Sequence, residues 1–224
     1  MSDSDDCTLS EDTRKALQEF LDEQASAGAV DRAFVEEDWQ LSQFWYNDRT
    51  SELLAKECLS VAGSEDSRLI GCLCCPSVYD KIVQIDPIGG QRARLFEFDR
   101  RFATQKRQFT FYDYRNPTDL PDTYRASCAV VVADPPFLAA ECLRKVVTTA
   151  KFLSVGPVIF CTGVSMEGIL TSLLEVKRCR FVPEHTRKLA NEFRCYANYS
   201  TVHLDAESEV QALMNEPTDH IYDI

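Results

Sequence analysis

Residues 134–137 read Asp-Pro-Pro-Phe, the stretch whose residue types constrain chemistry most narrowly. Proline has no N–H, so two in succession make a stiff loop whose backbone offers acceptors but few donors. The Asp134 carboxylate adds an acceptor. Phe137 adds an aromatic face that can stack on a flat base or rest against a cation. Such an acceptor-only loop suits a substrate that donates hydrogen bonds, an amine or an exocyclic amide. The alternative is a turn that merely ends a strand. An unbroken apolar run at 129–133 stands directly before it, as in a strand buried on both faces, and this position favours a working loop.

The other candidates are acids and turns that follow apolar runs. Asp99 comes after the run 93–98, where a nucleoside pocket places the acid that accepts from ribose hydroxyls. Glu97 is the alternative, its direction left open by strand alternation. Asp113, after 109–112, stands where an adenine amino group could be bound. The stretch 71–77, Gly-Cys-Leu-Cys-Cys-Pro-Ser, has no glycine in its turn, which argues against a diphosphate cofactor. One without phosphates, such as S-adenosylmethionine, tolerates such a turn, with Cys75, Pro76 and Ser77 as its contacts. Residues 39–46, Trp-Gln-Leu-Ser-Gln-Phe-Trp-Tyr, read either as a helix or lid packed on the sheet or as a cap that keeps water from the cofactor. Gln43, Tyr46 and Thr50 would then be polar contacts. The long connection 183–193 could line the substrate entrance, with His185 as a surface histidine. Cys72, Cys74 and Cys75 lack a second pair at zinc spacing, so no metal is expected; Cys72 and Cys74 read as small apolar strand residues.

These residues need elements to hold them. Strands are predicted at 68–74, 93–98, 109–112, 129–133 and 158–161. Helices are predicted at 78–85 (capped by Ser77), 138–153 and 166–176. Two last strands, 179–182 and 192–199, have no helix between them and should pair antiparallel. The fold class is therefore α/β, a mostly parallel open sheet with helices on both faces. The loop at 134, Asp99, Asp113 and the 75–77 turn all fall at carboxyl ends of strands, where such sheets bind ligands.

The chain has 224 residues and a formal net charge of -12, which repels phosphate backbones and draws a basic partner. Arg100, Arg101, Lys106 and Arg107 form a local basic cluster, either a solvated helix face or a phosphate-contacting patch. An acidic N-terminus unlike a signal peptide and no apolar run near the roughly 20 residues of a membrane span leave a cytosolic or nuclear protein, with the cytoplasm as the expected location, and that compartment implies free thiols for the ten cysteines. The expected organisation is an acidic, partly helical extension over 1–30 (helix at 9–24), a catalytic domain over 31–203 and an acidic solvated tail over 204–224.

Several blocks together resemble one known family. They are residues 39–46, Phe111-Tyr112-Asp113-Tyr114, Asp134-Pro135-Pro136-Phe137, Glu141-Cys142-Leu143-Arg144-Lys145 and Asn191-Glu192-Phe193-Arg194-Cys195-Tyr196. The four-residue loop is similar to the motif of amino-directed class I methyltransferases. The full set is similar to the lysine methyltransferases of eukaryotic elongation factor 1-alpha, once described as putative N6-adenine DNA methyltransferases. The resemblance covers about residues 35–200 and implies a Rossmann-like seven-stranded sheet with an antiparallel last strand. It further implies S-adenosylmethionine as methyl donor and elongation factor 1-alpha as the protein substrate. The charge and the lack of an apolar span add the expectation of a basic partner with no stable nucleic acid and no membrane, and the chain is expected to be a monomer. Asp134, Pro135, Pro136 and Phe137 become the catalytic loop. Asp134 also touches the cofactor, and Phe137, Asn191 and Phe193 touch the substrate. Asp134 and the Pro135 carbonyl would orient the nitrogen while its proton leaves through water. Two other functions stay open: an N6-adenine methyltransferase on nucleic acid, and a non-catalytic binding protein that keeps the fold.

Overall fold

A computed structural model describes residues 35–38, 41, 43–63, 67–104 and 108–206. The predicted helix at 9–24, Trp39, Gln40, Ser42, Lys106, Arg107 and the tail beyond 206 lie outside these residues. The chain divides into 1–34 and 35–224, and every element named below belongs to the second unit.

Seven strands form one sheet: β1 (Leu69–Leu73), β2 (Ala93–Glu97), β3 (Phe109–Phe111), β4 (Cys128–Ala133), β5 (Val158–Gly163), β6 (Lys177–Arg178) and β7 (Phe193–Ala197). Their order is β3-β2-β1-β4-β5-β7-β6. The β1–β5 pairings are parallel, and β7 runs antiparallel to both its neighbours, as the missing crossover helix predicts. The last two strands differ from expectation. β6 lies at 177–178, not 179–182, and β7 is shorter at both ends than 192–199; Cys179 still donates to the Cys195 carbonyl, at 2.8 Å.

Alternation along β4 sorts the core into two layers. Val130 and Val132 join one apolar cluster, Val131 and Ala133 the other. The first layer is closed by α1 (Asp48–Ala62) and α2 (Pro76–Ile85), the second by α3 (Ala140–Leu153) and α4 (Glu167–Leu173). The predicted elements do not include α1, although its signals are present. The Asn47 side chain accepts from Thr50 N at 2.8 Å, Leu54, Ala55, Cys58 and Ala62 are buried, and the helix stops at Gly63, whose φ of 58° is left-handed. In α2 the cap is Cys75 rather than Ser77. Pro76 sits at the first helical position, where its missing N–H costs nothing, and Ser77 falls inside the helix. The predicted helix at 166–176 is a 3-10 turn, Val164–Met166, followed by the shorter α4.

The chain beyond β7 does not become a solvated tail at 204. Leu204 is fully buried and its carbonyl accepts from Phe181 N. Glu57, fully buried in α1, accepts from the backbone N–H of Val202 and His203 and from the Tyr199 hydroxyl. The described cysteines are nine free thiols, all buried except Cys74, which is half-buried. Cys161 and Cys195 lie side by side across β5 and β7 with sulfurs 3.4 Å apart. Among the described residues no helix is long and apolar enough to cross a membrane.

Candidate active site

The carboxyl ends of β1, β2, β3 and β4 open on one cavity of about 580 Å³, within the range of small-molecule sites. Its floor begins at the turn after β1. Cys74 there has a φ of 57°, a left-handed conformation that most residues avoid, and its N–H is tied to the Phe96 carbonyl. The turn therefore demands what glycine would supply easily, although the sequence offers none. Cys75, Pro76 and Ser77 follow along the wall, and the Cys75 thiol donates to the Val132 carbonyl at 3.4 Å.

The acid that faces the cavity from β2 is Glu97, not Asp99. Asp99 begins the 3-10 turn Arg100–Thr104: its carboxylate accepts from Arg101 N and from the Arg101 guanidinium, and from the Gln43 side-chain amide at 2.9 Å. Burial works to raise the Asp99 carboxyl, but the hydrogen bonds from Arg101 and Gln43 outweigh it and hold the group below its ordinary value. Glu97 is the last residue of β2 and falls on the face that carries Ala93 and Leu95, while Phe96 packs into the opposite layer. One of its oxygens accepts from Phe98 N and Asp99 N; the other has no partner among the described residues. Burial pushes the Glu97 carboxyl up to about 7 against those two hydrogen bonds.

Asp113 lines the cavity beyond β3, with its carboxylate held by Arg115 at 2.7 Å. Phe98 and Tyr114 add aromatic surface beside it. After β4, Asp134 N donates to the Leu73 carbonyl, which fixes the start of the loop against β1. Pro135 is buried, and Phe137 is 37% exposed with its ring on that of Tyr114. Leu138 reaches Gly163 so closely that a β-carbon there would lie 2.9 Å from its side chain. Asp134 opens on the cavity, and burial pushes its carboxyl up to about 7; the Tyr46 hydroxyl pulls it down and the Glu97 charge pushes it up.

Residues 43–47 form a strap over the cavity. Gln43 anchors one end to Asp99, and its oxygen accepts from Arg101 at 3.0 Å. Its amide is thus a clamp, and the residue also lines the cavity, as a cofactor contact would. The other end is zipped to the β6–β7 connection. Asn47 N donates to the Glu184 carbonyl, Thr186 N donates to the Trp45 carbonyl, and Tyr46 bridges His185. Thr50 does not line the cavity; its hydroxyl accepts from Glu184 N at 2.9 Å and fixes α1 to the same connection. His185 is a wall residue, not the surface histidine expected. Its ring lies between Tyr46 and Phe193, each centroid 4.8 Å away, and burial lowers its pKa to about 4. Asn191, Phe193, Leu189 and Ala190 complete that wall. Nothing in the sequence pattern singles out Leu189 or Ala190.

The cavity has a measurable pH signature. Glu97 and Asp134 bind a proton more tightly in the folded protein than their ordinary values of 4.5 and 3.8 allow in the unfolded chain. Their share of stability is fully present below about pH 4 and is lost as pH rises through about 7. His185, depressed in the fold, works in the opposite sense and loses stability as pH falls through about 4. A variant isolates one carboxyl: Glu97→Gln should match the parent in chemical denaturation at pH 5 and exceed it by ~2–3 kcal/mol at pH 8. A difference that does not change with pH would contradict the buried carboxyl.

These residues fit S-adenosylmethionine. Glu97 offers a free buried acceptor oxygen for ribose hydroxyls, Phe98 and Tyr114 offer flat surface for a base, and the turn at 74–77 offers no glycine-rich phosphate cradle. The strand order, the acid ending β2 and the acceptor loop ending β4 define a class I methyltransferase domain aimed at an amino nitrogen. A family model described as a probable N6-adenine methyltransferase matches residues 37–201. Mouse (Mus musculus) EEF1A lysine methyltransferase 1 is 46% identical over 218 residues, covering 93% of this chain and 100% of that protein. Protein-lysine N-methyltransferase EFM5 of Saccharomyces cerevisiae is 35% identical over 230 residues, covering 86% of this chain and 92% of that protein. The chain belongs to the EEF1A lysine methyltransferase 1 family of protein-lysine N-methyltransferases.

Proposed function

We propose that this chain transfers a methyl group from S-adenosylmethionine to the side-chain nitrogen of a lysine in elongation factor 1-alpha. The observation that carries the reading is one cavity lined both by Glu97, with an oxygen left to accept from the cofactor, and by the acceptor loop at Asp134 with aromatic rings beside it for an amine. The relatives supply the substrate, since the mouse protein carries elongation factor 1-alpha in its name. When bound, S-adenosylmethionine supplies a methyl carbon made electrophilic by its sulfonium. Glu97, the 75–77 turn and the Asp113 region hold that ligand. Asp134 and the Pro135 carbonyl accept from the nitrogen and fix its direction, which is where positioning lowers the barrier. Phe137, Phe193 and His185 narrow the channel to an extended side chain.

The family model's description favours a second reading, adenine in nucleic acid. The surface argues against it. Arg101 is paired with Asp99, and the Arg100 guanidinium lies 3.8 Å over the Phe111 ring, so half of the basic cluster is engaged within the protein. The net charge of -12 favours a basic protein over a phosphate backbone. The domain at 31–203 would act as a cytoplasmic monomer, with 1–30 and the acidic C-terminal residues outside the chemistry. The test is a competition. Elongation factor 1-alpha, total RNA and duplex DNA are each offered with isotope-labelled cofactor, at low and at physiological salt, and the labelled residue is identified by mass spectrometry. Label on lysine is the expected result; label confined to adenine would replace this reading with the second.

A further inference from the structure

The Tyr46 hydroxyl is buried and makes no hydrogen bond among the described residues. An unsatisfied buried hydroxyl costs about 1–3 kcal/mol, so a fold that keeps one has a use for it or a ligand that completes it. Tyr46 cannot move off to find a partner. Its neighbours Trp45 and Asn47 are hydrogen-bonded to Thr186 and Glu184, and its ring lies against that of His185. The groups close enough to act on it electrostatically are Asp134, Cys161 and Cys195, at the β4, β5 and β7 side of the cavity. Asp134 stands at the margin of hydrogen-bond reach, short of a full bond but near enough that the contact raises the tyrosine and lowers the acid. Tyr46 stands beside Asp134, so it shares the amine that Asp134 faces.

We propose that Tyr46 is a catalytic residue that conducts the proton of the substrate lysine to Asp134. The proposal rests on the lysine reading above and replaces the water path. An ammonium brings three N–H donors. Asp134 and the Pro135 carbonyl accept two of them, and the Tyr46 oxygen accepts the third. The N–H bond facing Tyr46 breaks as that oxygen gains its proton, while the original hydroxyl proton passes to the Asp134 carboxylate. The lysine is left as a neutral amine, Asp134 as a neutral acid and Tyr46 as it began. Rotation about the lysine Cε–Nζ bond then turns the lone pair toward the methyl carbon. No tyrosinate accumulates, because burial pushes the Tyr46 hydroxyl well above its ordinary value. Asp134, raised to about 7, is a stronger proton acceptor than an ordinary carboxylate. His185, lowered to about 4, is too weak a base for the task. The other groups facing the pair are Glu97 from β2, Cys74 and Cys75 after β1, Cys161 from β5 and Cys195 from β7.

The test is Tyr46→Phe, which removes only the orphan oxygen. Folding should survive, with a melting temperature within a few degrees of the parent's, because only the marginal contact with Asp134 is lost. Cofactor affinity by calorimetry should be unchanged. Methylation of elongation factor 1-alpha should fall on the order of 10²-fold at pH 7.5 and recover to within a few-fold of the parent at pH 9.5. There solvent rather than the relay supplies the neutral amine of a group with a reference pKa of about 10.4. Equal rates at pH 7.5, a deficit of the same size at both pH values, or a matching loss of cofactor affinity would each overturn the relay. Failure of the parent enzyme to label lysine would instead overturn the substrate reading, so the two outcomes are separable.

Discussion

Asp134→Ala should lose methyl transfer on the order of 10² to 10³-fold in kcat while keeping cofactor affinity within a few-fold. A preorganised acceptor at a reacting centre contributes on that scale. Asp134 is such an acceptor: its backbone is tied to Leu73, its loop is stiffened by Pro135 and Pro136, and its carboxyl is withdrawn from bulk water. Asp134→Asn keeps one acceptor oxygen but no proton-accepting carboxylate, so it should sit between parent and alanine variant. Single-turnover kinetics with saturating cofactor separate the chemical step from binding. Full activity in the alanine variant would make the loop a strand-ending turn and no more.

The second large effect falls on the cofactor. Glu97→Ala should raise the S-adenosylmethionine Kd by about 10 to 100-fold, the scale of hydrogen bonds to a charged group at 1.5–3 kcal/mol. With cofactor at saturation, kcat should stay within a few-fold of the parent. Asp99→Ala should act differently. It breaks the anchor of the strap at Gln43 and Arg101 and should lower the melting temperature before it touches the ribose end of the cavity. Calorimetric titration of both variants decides the assignment; a Kd that moves with Asp99 and not with Glu97 would reverse it.

The β4 loop and the fold class are legible in the sequence because each rests on a local signal. An apolar run predicts a strand buried on both faces, and Asp-Pro-Pro-Phe cannot continue it. Alternation does not distinguish Glu97 from Asp99, since the two are two residues apart. The distinction depends on where the strand stops: β2 ends at Glu97, and Asp99 already belongs to the turn that follows. Thr50 departs from expectation for another reason. It is a polar residue near the cavity whose hydrogen bond runs to Glu184, and Gln43, which does line the cavity, is tied to Asp99 and Arg101; these are partners that only the folded chain brings near. The place of His185 is hidden by the same cause, its two ring neighbours being 139 and 8 residues away in sequence. The helix Asp48–Ala62 carries its own local marks, the Asn47 cap and the stop at Gly63, but its apolar stripe is interrupted by the buried polar residues Thr50, Ser51 and Glu57, which blurs the helical period.

The nine described thiols give the molecule a set of internal clocks. A thiol reacts as its thiolate, and burial has driven Cys58 and Cys75 well above their ordinary values and Cys128 and Cys179 to about 12, while the contact with Cys161, and burial after it, does the same to Cys195. An alkylating reagent at neutral pH therefore reaches each of them only when its stretch of chain transiently opens, and the labelling rate at each cysteine measures the free energy of that opening. The positions are well spread: Cys58 in α1, Cys128 in β4, Cys142 in α3, Cys179 beside β6 and Cys195 in β7. Cys74, half-buried on the cavity wall, reads something else. A ligand seated over it blocks the reagent directly, so its protection tracks occupancy while the other cysteines follow the breathing of the fold around it.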